Sequence, residues 1–309
     1  MDESRDTGWR PCAWAAVKDW LQSSSGWSDV ARILYLSMSR EKYSPNYFPY
    51  LRTYIDGVKS PDVEFELRGT RVGRIDSFRF FEVLDWVSIL DSVVAAEQDG
   101  FDAVAIGNIL DPALREARSM VDIPVVGLGE TSMLTACMMG SQFSLVGVNP
   151  YFGGRFEENV ARYGLRDRLA SIECMGLTPH ELDACFSDDS KRQKAIDSFV
   201  AAARASLDKG AEVVIPAGGR LTAFLNAVGI RDVDGAPLLD GTVSLVTAAE
   251  SAVRIHRQAG TFVSRRRLYA RAPQASIQES AAEYADGYNV PALKRSIERS
   301  DPATQRTEE

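Results

Sequence analysis

The sequence predicts an α/β fold made of two pseudo-symmetric halves, each with a parallel sheet, and a cleft between them. Short apolar runs alternate along the chain with longer segments whose apolar residues recur at helical spacing. In addition, GFDAVAIGN at 100–108 nearly recurs as GAEVVIPAG at 210–218, with Asn108 and Gly218 at matching places. Such an internal repeat indicates two similar halves, although any two strand-helix-strand units share some of this likeness by chance.

The individual elements follow from the same patterns. Strands are predicted where short apolar runs stop at glycine, proline or asparagine, and helices where apolar positions recur every three or four residues. In chain order these are strands 31–37 and 62–70, helix 82–98, strand 103–106, a helix from Pro112, strand 123–127, a helix opened by Glu130, strand 143–149, helices 155–170 and 190–209, a strand within 210–217, and helix 243–258. We expect Asp111 to cap the helix that begins at Pro112.

We expect four regions along the chain. They are an N-terminal arm at 1–28, a first lobe formed by 29–124 with 240–271, a second lobe at 125–239, and a C-terminal extension at 272–309. The arm carries four tryptophans, which are rarely left in water, so it is expected to pack on the body or on a second subunit of a homo-oligomer. The extension is rich in charged and small polar residues, which is typical of a flexible tail or a partner contact.

Composition excludes several classes of function. The chain has 309 residues with 45% apolar and 25% charged content, as globular proteins do. Its net charge of -8 argues against a nucleic-acid partner. Without an apolar run of spanning length or a signal peptide, no membrane association and a cytoplasmic location are expected.

Metal and nucleotide sites are not expected either. The four cysteines (Cys12, Cys137, Cys174 and Cys185) show neither CxxC spacing nor pairing with the two histidines, which argues against a zinc site. None of them is expected at a strand end: Cys137 is predicted within a helix, Cys174 and Cys185 in or near a connection, and Cys12 in the arm. GLGETS at 127–132 has a G-x-G but no third glycine, so dinucleotide binding is weakly supported and no cofactor is expected.

Residues that follow the predicted strands are the candidate site residues, because parallel sheets bind ligands at the carboxyl ends of their strands. Backbone N–H groups after Glu130 and Gly218 are expected to form an anion pocket for a small carboxylate or a cyclic amide. Arg220 could add a charge-assisted contact, with a solvated side chain as the alternative. The expected substrate-binding residues are Ser37, Thr131, Ser132, Asn149, Gly218, Gly219 and Arg220.

Three residues are candidates for catalysis. Glu130 is the first choice as acid or base, because a carboxyl group partly buried between lobes can have a raised pKa; the alternative is a helix-start residue favoured by the dipole. Tyr151 is the second, as a hydroxyl donor or proton shuttle, with aromatic packing as its alternative. Asn108 is expected to orient a substrate oxygen or to stabilise an enolate through its amide N–H.

Three stretches, DAVAIGNILDPALREARSMVDIPVVGLGE at 102–130, RYGLRDRLASI at 162–172 and GAEVVIPAGG at 210–219, together resemble the aspartate/glutamate/hydantoin racemase superfamily, closest to its hydantoin racemase branch. The likeness covers roughly residues 31–270. It implies two Rossmann-like lobes with a site between them and no cofactor. It also implies chemistry by two cysteines, one per lobe, which remove and return a proton beside a carboxyl or carbonyl group.

This chain departs from that pattern at the cysteines. Matching the strand ends places them at Asn108 and Gly218, so both thiols are absent; asparagine is no base at neutral pH, and glycine offers only its backbone. The asparagine-rich end of the family's first strand falls on Tyr35-Leu36-Ser37. The related arylmalonate decarboxylases keep one cysteine, which is also missing here.

The sequence therefore favours a cofactor-independent isomerase or lyase that acts on a small carboxylate or cyclic amide by proton transfer and enolate stabilisation, without the two cysteines. One alternative is a non-catalytic member of the superfamily that binds a small ligand or regulates. Another is a subunit that contributes its arm or a lobe to a larger assembly.

Overall fold

The computed structural model describes residues 30–71, 79–273 and 276. The expected arm at 1–28 and nearly all of the expected extension at 272–309 therefore lie outside the described residues.

The first sheet has four parallel strands in the order β2-β1-β3-β4. The strands are β1 (Ala31–Ser37), β2 (Val63–Gly69), β3 (Ala103–Ile106) and β4 (Val125–Gly127). In the centre of this sheet, Ile33 pairs with Phe65 on one side and with Ala103 on the other. The predicted strands of this half are thus present, with shorter bounds at β2 and β4.

The second sheet has three parallel strands in the order β6-β5-β7, and a short hairpin follows it. The three strands of the sheet are β5 (Phe143–Gly147), β6 (Leu169–Cys174) and β7 (Val213–Ala217), and the hairpin consists of β8 (Asp232–Val233) and β9 (Ala236–Pro237). The predicted helix 155–170 is wrong at its end: it stops at Arg162, and β6 occupies the following segment. Gly164, with φ +73°, adopts the left-handed conformation that commonly ends helices.

Helices connect the strands. They are α1 (Tyr47–Val58), α2 (Arg79–Gln98), α3 (Leu114–Met120), α4 (Leu128–Met139), α5 (Gly153–Arg162), α6 (Pro179–Ala184), α7 (Asp189–Leu207), α8 (Gly219–Ala227) and α9 (Gly241–Ala259). Side-chain caps fix several helix starts; at α9, for example, the Asp240 carboxylate accepts a hydrogen bond from the Val243 amide at 3.0 Å.

The duplication seen in the sequence is present in the pairing of the strands. Val104 of β3 pairs in parallel with Val125, and Val214 of β7 forms a parallel bridge with Leu238. In both halves the second partner directly follows a proline. The fold class is thus confirmed as α/β with parallel sheets in two similar halves.

One hydrophobic core joins the two sheets, since Ala105 of β3, Leu145 of β5 and Ile215 of β7 belong to the same buried cluster. Helix α9 packs on β3 and β4. The expected division into lobes placed residue 125 in the second lobe, whereas β4 pairs with β3 in the first sheet. The boundary after residue 124 is therefore one strand too early.

Of the helices in the described part of the chain, none combines the length and the apolar character that a membrane span requires.

Candidate functional site

The two turns that follow β3 and β7 are neighbours. A Cβ atom on Gly219 would lie 3.6 Å from the carbonyl oxygen of Gly107. The turns also have the same hydrogen bond: the amide of Asn108 donates to Ile106, and that of Gly218 to Pro216, each at 2.9 Å. The structure therefore brings together the two strand ends at which the sequence placed the missing thiols.

Gly218 has a backbone conformation that excludes a simple replacement by cysteine. Its φ is +152°, which side-chain-bearing residues rarely adopt, although a Cβ atom there would meet nothing within 4 Å. The position has room for a thiol but not the backbone that a thiol-bearing residue prefers.

Asn108 is held as a hydrogen-bond donor. Its Oδ1 accepts a hydrogen bond from the Leu110 amide at 2.8 Å, which fixes the side chain across its own turn. The side chain is half-buried. With Oδ1 engaged, the Nδ2 amide group is the donor that this side chain offers.

Two buried tyrosines pack against the glycines of these turns, and the sequence analysis assigned neither a role. Tyr35 of β1 lies so close to Gly107 that a Cβ atom there would be 2.3 Å from its Cε1. The hydroxyl of Tyr47, on α1, would be 3.0 Å from a Cβ atom on Gly219. The position of Tyr35 near the end of the first strand, two residues before Ser37, is the feature of the sequence that could have indicated its place at the site.

Both tyrosines are hydrogen-bond donors at neutral pH. Burial, the largest cause, raises the pKa of Tyr47 to about 12 and that of Tyr35 well above its ordinary value. Tyr35 is fully buried, and its hydroxyl interacts with the Thr242 side chain. These phenols can donate a proton or a hydrogen bond, but they are poor bases.

Further hydroxyl groups lie where α4 and α9 begin. The Oγ of Ser132 would lie 3.0 Å from a Cβ atom on Gly241. Within the described chain, Ser132 Oγ is buried without a hydrogen-bond partner, and the buried Thr242 side chain interacts with the Tyr35 hydroxyl. Helix N-termini favour negative charge, so this region suits an anionic oxygen.

Arg220, at the start of α8, is partly buried, and its side chain is 15% exposed. Its guanidinium donates to the Pro179 carbonyl and to Ser44 Oγ, each at 2.5 Å, and to Ser39 Oγ at 3.0 Å. It also lies 5.5 Å from the centre of the Tyr47 ring. Desolvation lowers the pKa of Arg220. Arg220 thus ties the second half to the segment after β1, beside Tyr47.

Glu130 lies in an ion pair with Arg118 of α3. The distances are 3.1 Å from Nη1 to Oε1 and 2.5 Å from Nη2 to Oε2, and both side chains are largely buried. The Nε of Arg118 donates to the Val125 carbonyl at 2.9 Å. This geometry favours the structural alternative for Glu130 over a role as acid or base.

Asp111 does not cap the helix after Pro112, which begins only at Leu114. Its carboxylate accepts hydrogen bonds at the start of α4, from Gly129 at 2.8 Å and from Glu130 at 2.6 Å, and a third from the Tyr163 hydroxyl at 2.6 Å. Burial raises the pKa of Asp111 to about 7, although these three hydrogen bonds oppose the shift. The residue connects the Asn108 turn to α4 and α5.

The remaining candidates have local roles. Thr131 Oγ1 donates to the Gly127 carbonyl at 2.8 Å, next to its own helix. Asn149 Oδ1 accepts from the Tyr151 amide at 3.0 Å. Tyr151 is 64% exposed, so its ring lies at the surface rather than in the core between the sheets. Ser37 is buried, and its Oγ accepts from the Ser39 amide at 3.3 Å.

The described cysteines do not replace the missing thiols. Cys137 is half-buried in α4, and Cys185 is buried after α6. Cys174 is the last residue of β6, so the expectation that no cysteine ends a strand is wrong for it. It is exposed at the edge of the second sheet. Cys12 lies outside the described residues.

Comparison with known proteins supports the same family. The model of the Asp/Glu/hydantoin racemase family matches residues 55–249. A hydantoin racemase from a Pseudomonas species is 29% identical over 186 residues, which is 60% of this chain and 71% of that protein. The hydantoin racemase of Paenarthrobacter aurescens is 28% identical over 181 residues, or 58% of this chain and 73% of that one.

A solved structure shares the fold. The allantoin racemase of Pseudomonas fluorescens superposes with a TM-score of 0.67 at 26% identity, covering 79% of this chain and 97% of that one. Its two-lobe arrangement fits the two halves described above.

Proposed function

Because this chain belongs to the Asp/Glu/hydantoin racemase family, we propose that it is a cofactor-independent isomerase or lyase that binds a small carboxylate or cyclic amide between its two sheets. The meeting of the turns at Gly107-Asn108 and Gly218-Gly219 carries this proposal, because it brings the Asn108 side chain and the Tyr47 hydroxyl to the strand ends where the family's thiols would stand. The relatives named as hydantoin and allantoin racemases support a cyclic amide as one substrate class.

The donors suit the stabilisation of an enolate. Asn108 Nδ2 would donate to an oxygen that gains negative charge, and such a preorganised donor lowers the barrier for forming an enolate. In this proposal neither thiol is needed, since the protein holds the charge on oxygen rather than exchanging protons through sulfur.

Within this class, the protonated tyrosines favour a lyase. Racemisation needs a base, whereas loss of CO₂ from a malonate breaks a C–C bond and leaves the electron pair on an enolate. The Tyr47 hydroxyl would then give its proton to carbon, and solvent would return a proton to the phenolate. With a pKa of about 12, the Tyr47 hydroxyl is protonated at neutral pH and is therefore present as this donor.

The second candidate is a member of the family that binds a small ligand without turnover. The ion pair between Glu130 and Arg118 favours it, because this pairing occupies the carboxylate that the sequence offered as acid or base.

The experiment that separates the two is incubation of the full chain in D₂O with a panel of hydantoins, amino acids and malonates. Deuterium at the reacting carbon, followed by NMR, or release of CO₂ supports the enzyme. Calorimetric binding without either supports the second candidate. If no member of the panel binds, the site proposal itself fails.

Tyr47→Phe tests the assigned proton donor. We expect turnover to fall by about 100-fold, the lower end for a lost general acid, with ligand affinity changed by less than about tenfold. Tyr43→Phe is the matched control, because Tyr43 is 54% exposed. Unchanged turnover in Tyr47→Phe would remove the role.

We also propose that the chain acts in the cytoplasm as a homo-oligomer, with the tryptophan-bearing segment 1–28 as a contact. Light scattering of the full chain and of a chain without residues 1–28 tests this contact. The same number of subunits in both would show that residues 1–28 are not needed for this contact.

A further inference from the structure

Helix α2 begins with its apolar side chains turned outward and an acidic one turned inward. Phe80, Phe81, Val83 and Leu84 are between 43% and 69% exposed, whereas Glu82, in the middle of this run, is buried. Single apolar side chains at a surface are ordinary, but a contiguous group of large ones marks a contact surface. We call the four exposed residues the α2 patch.

A buried ion pair holds the α2 patch in this orientation. The Glu82 carboxylate lies 2.7 Å from the guanidinium of Arg155 on α5, and the two side chains are 10% and 9% exposed. Because an α-helix turns by about 100° per residue, Glu82 lies on the side opposite Phe80 and Leu84. Rotating the helix to bury the patch would break this pair inside the protein, which is costly. The outward direction of the patch is therefore set by the fold.

The area of the α2 patch matches the apolar centre of a contact between proteins. At the size of aromatic and aliphatic side chains, the exposed fractions amount to roughly 400 Å² of apolar surface. A stable interface removes about 800 Å² from each partner, and somewhat more than half of that area is apolar. The patch thus supplies most of the apolar area, and the polar side chains around it would supply the rest.

The charges beside the α2 patch favour a second copy of the same chain as the partner. Arg79, at the start of α2, lies 2.6 Å from Glu158 of α5, and both side chains are about half exposed. A two-fold axis can bring opposite charges of such a pair together, since each copy presents both. The chain has a net charge of -8, so two copies repel each other unless they meet where charge is balanced. The patch together with this pair carries no net charge.

We propose that the α2 patch is the contact between two copies of this chain, related by a two-fold axis that passes between Val83 and Leu84. The positions of Phe80, Val83, Leu84 and the half-buried Val87 are symmetric about that point on the helix. The two helices then cross in opposite directions, with Phe80 of each copy against Val87 of the other. This contact extends the homo-oligomer proposed above, and it depends neither on residues 1–28 nor on the proposed chemistry.

Sedimentation velocity of the full chain tests the proposal. We expect the wild type to have an even number of subunits, and the double variant Phe80→Glu, Leu84→Glu to have half the wild-type mass at the same concentration. Two carboxylates in an apolar contact should raise the dissociation constant at least about 100-fold. Both positions are exposed, so the circular dichroism spectrum should stay unchanged. Leu268→Glu is the matched control, because Leu268 is also exposed but lies outside the patch, and it should keep the wild-type mass.

Chemical cross-linking locates the axis. Val83→Cys places one thiol of each copy close to the two-fold axis, so a short bis-maleimide should join two copies of this variant. The wild type, with its native cysteines, gives the background. An associating Val83→Cys chain that is joined no more than the wild type would overturn the axis.

A wild type that stays monomeric, or a double variant that keeps the wild-type mass, would overturn the contact. If the wild type is monomeric and the chain without residues 1–28 is dimeric, that segment covers the patch in place of a second copy. If association is lost on deleting residues 1–28 and kept in the double variant, the contact belongs to that segment alone.

Discussion

The guanidinium of Arg118 holds both carboxylate oxygens of Glu130, and it does so across the gap between α3 and the start of α4. The two side chains are 11% and 21% exposed, so the pair is shielded from solvent. A bidentate pair of this kind fixes the orientation of a helix, and it leaves the carboxylate engaged with a cation.

Glu130→Gln is therefore expected to lower the free energy of unfolding by about 2–4 kcal/mol, because Arg118 keeps its charge without a counter-ion. Urea denaturation measures this change. Glu116→Gln, at an exposed position on α3, should change it by less than about 0.5 kcal/mol. Unchanged stability together with lost turnover would instead support Glu130 as the acid or base.

The buried carboxyl group of Asp111 is expected to make stability depend on pH. Its folded pKa of about 7 lies above the ordinary value of 3.8, so between these pH values the folded state binds more protons than the unfolded state. The stabilisation from the protonated group is complete below pH 3.8 and is lost as the pH rises through 7.

The measurement is the difference in free energy of unfolding between wild type and Asp111→Asn at several pH values from 4 to 8. We expect the free energy of unfolding of the wild type, relative to that of Asp111→Asn, to fall as the pH approaches 7 and to become constant above it. An advantage that grows with pH would mean that Asp111 has a lowered pKa and stays ionised.

The contact between Tyr35 and Gly107 predicts a strong coupling. Gly107→Ala would place a methyl group 2.3 Å from the ring, and such overpacking costs about 1–3 kcal/mol. Because Tyr35→Leu removes the ring, the double variant should lose less stability than the sum of the two single variants.

Gly153→Ala is the control for this cycle, because a Cβ atom there meets nothing within 4 Å. Thermal and urea denaturation of the single and double variants give the coupling. Additive losses would show that the ring does not restrict residue 107.

Introducing cysteines at the two strand ends is not expected to produce a racemase. In the double variant Asn108→Cys, Gly218→Cys, the second cysteine must adopt the conformation of Gly218, at φ +152°. We expect Gly218→Cys alone to lower the free energy of unfolding by about 1–3 kcal/mol, and the double variant to show no racemisation of hydantoins. Optical rotation and proton exchange test this, and rapid racemisation by the pair would show that the backbone adapts.

The fold was accessible from the sequence because its strands are short apolar runs with clear ends. β1 was predicted at 31–37, where it is found. β6 was missed because it is an edge strand of mostly half-buried residues, and LASIEC lacks the continuous apolar run of the central strands.

The meeting of Asn108 and Gly218 at the same place was also predictable, because the repeat puts them at equivalent strand ends. The partner of Glu130 was not, since nothing in the spacing shows which of many arginines will face it. Likewise, the approach of the Tyr47 hydroxyl to Gly219 depends on how α1 packs against α8, which no local pattern encodes.

Helix α9 covers the first sheet, although in the chain it follows the whole of the second. During synthesis, the part of the earlier sheet that α9 covers therefore stays exposed until residue 259 has left the ribosome. Truncated products that end before this helix would expose apolar strands and would be prone to aggregate. Stable folding of the first half therefore depends on α9.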